Sequence, residues 1–144
     1  MDLTHRPTAL PPAAASPAGD APSLRPARRR EAPLTVSWAR HADEVREAQR
    51  LRHAVFAGEM GARLAVPPGT PEGLDVDRFD AHCEHLLVRA TEPDGAPGRV
   101  VGTYRVLTPA GARLAGGLYS DGEFDLSPLA ALRPGLVELG RSCT

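Results

Sequence analysis

The residues best placed to do chemistry stand in Leu136-Val137-Glu138-Leu139-Gly140-Arg141-Ser142-Cys143, an apolar run holding a carboxylate and a guanidinium three positions apart. In a regular strand successive side chains alternate faces, so Glu138 and Arg141 would point to opposite sides. A bulge at Gly140 would shift the alternation and turn both charges onto one face. Charges on a buried face must pair with each other or meet a charged ligand. The two readings are a structural ion pair at a strand end and a site for a small zwitterion. Arg105 is a third charge, in mid-strand beside Val101, Thr103 and Leu107, where it too needs a partner. Arg52 stands four residues before Phe56 at the edge of an apolar stripe, where a long stem usually lies on the surface.

These residues are carried by recognisable elements. Leu34-Thr35-Val36-Ser37-Trp38 alternates and predicts a first strand. Asp43 reads as a helix N-cap, and Val45, Ala48, Leu51, Val55 and Phe56 form one helical stripe that Gly61 can end. A Pro- and Gly-rich connection follows and closes on the acidic Asp75-Val76-Asp77-Arg78-Phe79-Asp80. A calcium loop is excluded there, because Asp80 stands where an EF-hand requires glycine. His82-Cys83-Glu84-His85 would split its ligands between two strand faces, so these are read as strand-entry residues with no metal.

His85–Ala90 and Arg99–Leu107 predict a hairpin, its near-continuous apolar strands suggesting a sheet covered on both faces. A short extended piece at 116–120 and a helix from Ser127 with Pro128 at its first turn precede the terminal strand.

Bulk properties narrow the class. Net charge is −1, which offers no strong field to nucleic acid. All 17 basic residues are Arg, a mark of a GC-rich genome. Two cysteines make no disulfide framework, and reduced thiols fit a cytoplasmic protein. Residues 1–33 hold 7 of the 15 prolines and little large apolar surface, predicting a disordered tail before a domain at 34–144. Arg28-Arg29-Arg30 begins no export signal, since the following apolar run is broken by Pro33 and charged from Arg40.

Several motifs, taken in order, resemble one family. They are Leu51-Arg52-His53-Ala54-Val55-Phe56, Asp77-Arg78-Phe79-Asp80 through His85-Leu86-Leu87-Val88, Val101-Gly102-Thr103-Tyr104-Arg105, Gly117–Leu126 and Glu138-Leu139-Gly140-Arg141-Ser142-Cys143. The set is similar to the L-ornithine Nα-acyltransferases of ornithine-lipid synthesis, GNAT-superfamily enzymes related to acyl-homoserine-lactone synthases. The resemblance implies an α+β, partly complete GNAT-like fold, a mostly antiparallel sheet with flanking helices.

It also implies transfer of a 3-hydroxyacyl group from acyl carrier protein to the α-amine of L-ornithine. No cofactor is needed beyond the phosphopantetheine that carries the donor. Glu138 becomes the candidate base, and Arg52, Phe56, Asp77, Asp80, Arg105 and Arg141 the substrate-binding set. Arg105 or Arg141 would hold the substrate carboxylate, and Asp77 and Asp80 the side-chain ammonium or the loop itself. The expected location is the cytoplasm, with peripheral contact to the inner membrane.

A lactone synthase is disfavoured because residues 57–76 lack the Trp of that branch. A non-catalytic acyl- or carrier-binding module is the third reading. No donor-binding loop and helix follow Thr144, so the chain is expected to be an N-terminal fragment, inactive alone, with an uncovered sheet edge or face.

Overall fold

The computed structural model describes residues 33–144; the expected tail, apart from Pro33, lies outside the described residues. Four strands pair antiparallel in chain order: β1 (Leu34–Trp38), β2 (Glu84–Thr91), β3 (Pro97–Leu107) and β4 (Glu138–Cys143). Directly paired residues share a face, so Ser37, Leu87, Thr103 and Cys143 line one side and Trp38, Leu86 and Tyr104 the other.

Helix α1 (Ala42–His53) lies across the first face, where Ala48, Leu87 and Val100 pack with Ala39 and Leu51. It begins earlier than Asp43 predicts. His41 is the extended residue before it, and the Glu44 carboxylate accepts from the main-chain N–H of Arg40 (2.6 Å) and His41 (3.3 Å). Asp43 instead pairs with Arg46 on the surface. The helix widens into a π-helical turn, Ala54–Glu59, and Gly61 follows in the left-handed region at φ 68°.

The second sheet face is open among the described residues, with Val36 63% and Trp38 48% exposed. Apolar strands therefore did not mean cover on both sides, because the pattern reports what each face is made of and not what lies on it.

The β3–β4 connection departs most from expectation. Helix α2 (Pro109–Ala115) forms where none was predicted: Thr108 Oγ1 accepts from the Gly111 N–H (3.1 Å), Pro109 opens the first turn, and Gly116 closes it at φ 78°. Gly111 allows the close approach, since a Cβ there would meet the His82 carbonyl oxygen at 2.1 Å. The predicted extended piece is a 3₁₀ turn, Tyr119–Gly122, and the predicted helix at Ser127 is a single 3₁₀ turn, Ser127–Leu129. No side chain caps that turn; the residue before it is Leu126, and the Ser127 N–H donates to Asp125 Oδ1 (2.9 Å). These pieces enclose a second core of Phe79, Leu107 and Leu118.

Candidate functional site

Opposite Arg105 stands Gly140, and opposite Thr103 stands Cys143, so β4 carries one extra residue between these pairs. The bulge is present but its left-handed residue is Arg141 (φ 50°), not Gly140. A left-handed non-glycine residue costs about 1–2 kcal/mol and persists only where its surroundings fix it. The shift brings Glu138 and Arg141 to one cavity of about 200 Å³, with Arg105, Tyr119, Ser120 and Gly140 also on its wall.

Behind this cavity the charges close into a ring of alternating sign. Arg52 Nε donates to Asp75 Oδ2 (2.9 Å) and its Nη2 to Asp80 Oδ2 (2.7 Å). Arg105 Nη1 donates to Asp80 Oδ1 (2.9 Å) and Asp77 Oδ1 (2.7 Å). Arg141 closes the ring, its Nη2 3.4 Å from Asp77 Oδ2 and its Nε 3.3 Å from Asp75 Oδ2. Three guanidiniums face three carboxylates, so the ring is neutral overall.

The ring is tight on its inner side and loose at Arg141. Arg52 is fully buried, which overturns the surface placement its helix position suggested. Besides its carboxylate partners it donates to the Asp75 carbonyl, so its charge is met by α1's own neighbours in the loop. Asp80 also accepts from Gln49 Nε2 (3.1 Å). Burial alone would raise the Asp80 pKa, but the Arg52 and Arg105 charges outweigh it and hold the carboxyl below its ordinary range. Arg105 is likewise opposed by burial, and Asp77 and Asp80 more than compensate, raising its pKa. His85 Nε2 donates to the Asp80 carbonyl (3.0 Å), and burial keeps that ring's pKa below the usual histidine value. Cys83 is pushed up to about 11 by burial, so it is a thiol and not a thiolate.

Arg141 differs from its two counterparts. Its side chain is 24% exposed, and its Nε makes the ionic contact with Asp75 without hydrogen-bond geometry. Its guanidinium carbon lies 5.8 Å from the Phe56 ring centre and 5.5 Å from that of Tyr119. Phe56 therefore frames Arg141 from the π-helical turn. Glu138 takes the main-chain N–H of Tyr119 (2.6 Å) and Ser120 (2.8 Å) and the Ser120 hydroxyl, tying the 3₁₀ turn to β4.

All seven residues singled out in the sequence thus gather at one end of the sheet. Asp75, Gln49, His85 and Ser120 were missed. Asp75 stood in the acidic stretch but outside the motif beginning at Asp77; His85 and Ser120 stood inside quoted motifs without being given a role, and nothing in the spacing marked Gln49.

An antiparallel sheet with a bulged last strand and a helix across one face is the architecture in hand. The chain belongs to the acetyltransferase (GNAT) domain family, whose pattern matches residues 51–144. Among curated proteins it is similar to the L-ornithine N(alpha)-acyltransferase of Rhizobium meliloti, 44% identical over 79% of this chain and 39% of that protein. The protein of the same name from Rhodobacter capsulatus is 46% identical over 78% of this chain and 44% of its own length. The chain spans about two fifths of the length of these curated relatives. Among solved structures the AHL synthase LasI matches with a TM-score of 0.48 and 20% identity, over 78% of this chain and 53% of that one. No helix among the described residues is long and apolar enough to cross a membrane.

Proposed function

We propose that this chain forms the amino-acid-binding side of an L-ornithine Nα-acyltransferase. The observation that carries the reading is the loose corner of the charge ring: Arg141, half-released and aromatic-framed, shares a cavity wall with Glu138. The identity with curated relatives of that name supports ornithine as the amino acid.

The substrate carboxylate takes the Arg141 guanidinium in place of Asp77, whose contact is the longest in the ring. Asp77 Oδ2, so freed while Oδ1 stays on Arg105, receives the side-chain ammonium. An α-ammonium has no free electron pair, so a proton must leave it first, to Glu138 directly or through water. The amine nitrogen then attacks the thioester carbonyl, the C–S bond breaks, and the thiol leaves with a proton as the amide forms. The donor in this reading is a 3-hydroxyacyl chain on the phosphopantetheine of acyl carrier protein. The product is the first intermediate of ornithine-lipid synthesis, made in the cytoplasm at the inner membrane surface.

Titration of the 144-residue protein with L-ornithine, L-norvaline and 1,4-diaminobutane tests the binding half. L-Ornithine is expected to bind tightest, since only it carries both the carboxylate and the side-chain ammonium. A chimera in which residues 34–144 replace the matching segment of the Rhizobium meliloti relative tests the chemistry. Amide formation from L-ornithine and 3-hydroxyacyl carrier protein is the expected result. A folded chimera that binds the carrier protein but forms no amide would establish a binding module instead.

A further inference from the structure

We infer that Asp75 is a positioning residue that anchors Arg141 from the buried side while the substrate displaces Asp77; this rests on the ornithine reading above. Asp75 and Asp77 hold different edges of the same guanidinium. Asp75 faces Nε at 3.3 Å and Asp77 faces Nη2 at 3.4 Å. Their side chains differ in access, 2% exposed for Asp75 and 14% for Asp77. Asp77 and Arg141 share the wall of a second hollow, beside Arg78, Phe79 and Tyr119 and next to the cavity that holds Glu138, so a ligand there reaches the Nη2 edge and competes with Asp77.

Asp75 is fixed by more than its charge. Its main-chain N–H donates to the Gln49 carbonyl (3.1 Å), and its Oδ2 is already held by Arg52 Nε at 2.9 Å. One oxygen thus spans from the fully buried Arg52 on α1 to the strained Arg141 on β4. Left-handed backbone at Arg141 aims the side chain inward, and the Asp75 charge keeps it there when Asp77 lets go. Without that charge the guanidinium is free to swing toward solvent, and the carboxylate subsite loses its fixed partner.

The test is Asp75→Asn in the 144-residue protein, read by ligand titration and by the Arg141 side-chain Nε resonance, assigned through its loss in Arg141→Gln. Expected are an L-ornithine affinity at least tenfold weaker, an unchanged affinity for 1,4-diaminobutane, which has no carboxylate, and a displaced Arg141 Nε resonance. Asp75→Asn added to Arg141→Gln should weaken ornithine binding no further, because both act through one group. Additive losses, or equal loss for the diamine, would overturn the inference and leave Asp75 a purely structural residue.

Where Asp75→Asn fails to fold, Arg52→Met with Asp75→Leu removes the buried cation and its partner together and carries the same readouts. If the unmutated protein binds no ornithine, the ornithine reading fails by itself. The resonance still decides Asp75: displaced in the variant supports the anchor, unmoved refutes it.

Discussion

Arg52 and Arg141 are the same residue in the same ring, and they are held in opposite ways. Arg52 is sealed, meeting two carboxylates at 2.7 and 2.9 Å with no exposed surface. Arg141 meets two carboxylates at 3.3 and 3.4 Å and remains a quarter open to the cavity. Arg52 Nη1 is buried without a partner, but with the side chain wholly enclosed and its Nε and Nη2 held at short range, this corner is closed to a ligand. The Arg141 corner has longer contacts and is partly exposed, the condition under which a charged ligand improves on the resting contacts. On the proposed function, the difference separates structural from ligand-binding members of a cluster whose composition is uniform.

The comparison is broken most forcefully at the sealed side. Asp80→Asn leaves Arg52 and Arg105 each short of a partner, and a loss of about 3–5 kcal/mol is expected in a urea or thermal unfolding curve. Arg141→Gln should do the reverse: the melting temperature changes little, while L-ornithine affinity falls by about 1.5–3 kcal/mol, the range of a charged hydrogen bond. Equal stability losses in the two variants would erase the distinction.

Glu138→Gln sharpens the functional side. An amide nitrogen would meet the Tyr119 or Ser120 N–H, costing about 1–3 kcal/mol of stability. In the chimera the same change should lower amide formation about 10²–10⁴-fold if Glu138 takes the proton.

Acid titration separates the corners more gently. His85 and Asp80 both have pKa values lowered by folding, from ordinary values of 6.5 and 3.8. The unfolded chain therefore binds more protons, and stability is complete above about pH 6.5 and falls as pH drops, first through His85 and then through Asp80. The smallest effect belongs to the outer pair of Arg89 with Glu47 (2.6 Å): Glu47→Gln should cost no more than about 1 kcal/mol.

Strands and the long helix were legible because their periods are local. The stripe Ala48, Leu51 and Val55 announces α1 without knowledge of its partner. Helix α2 was equally announced, by Thr108, Pro109 and Gly116, but seven residues rich in Gly and Ala give too little apolar period to notice. The bulge was legible in kind and displaced by one residue, because glycine is the usual bearer of a left-handed backbone and here arginine adopts it. The ring itself was not legible as a ring. Its closure joins Asp75 to Arg141 across most of the domain, and no local spacing encodes that meeting.

One inserted residue also divides the labour of the last strand. Upstream of Arg141, Glu138 looks onto the cavity. Downstream, the skipped step lets Cys143, and not Ser142, take the place beneath the helix opposite Thr103. The bulge works like a gear change within a single short segment, letting one stretch of chain serve solvent chemistry and the next serve the oily interior without a loop between them.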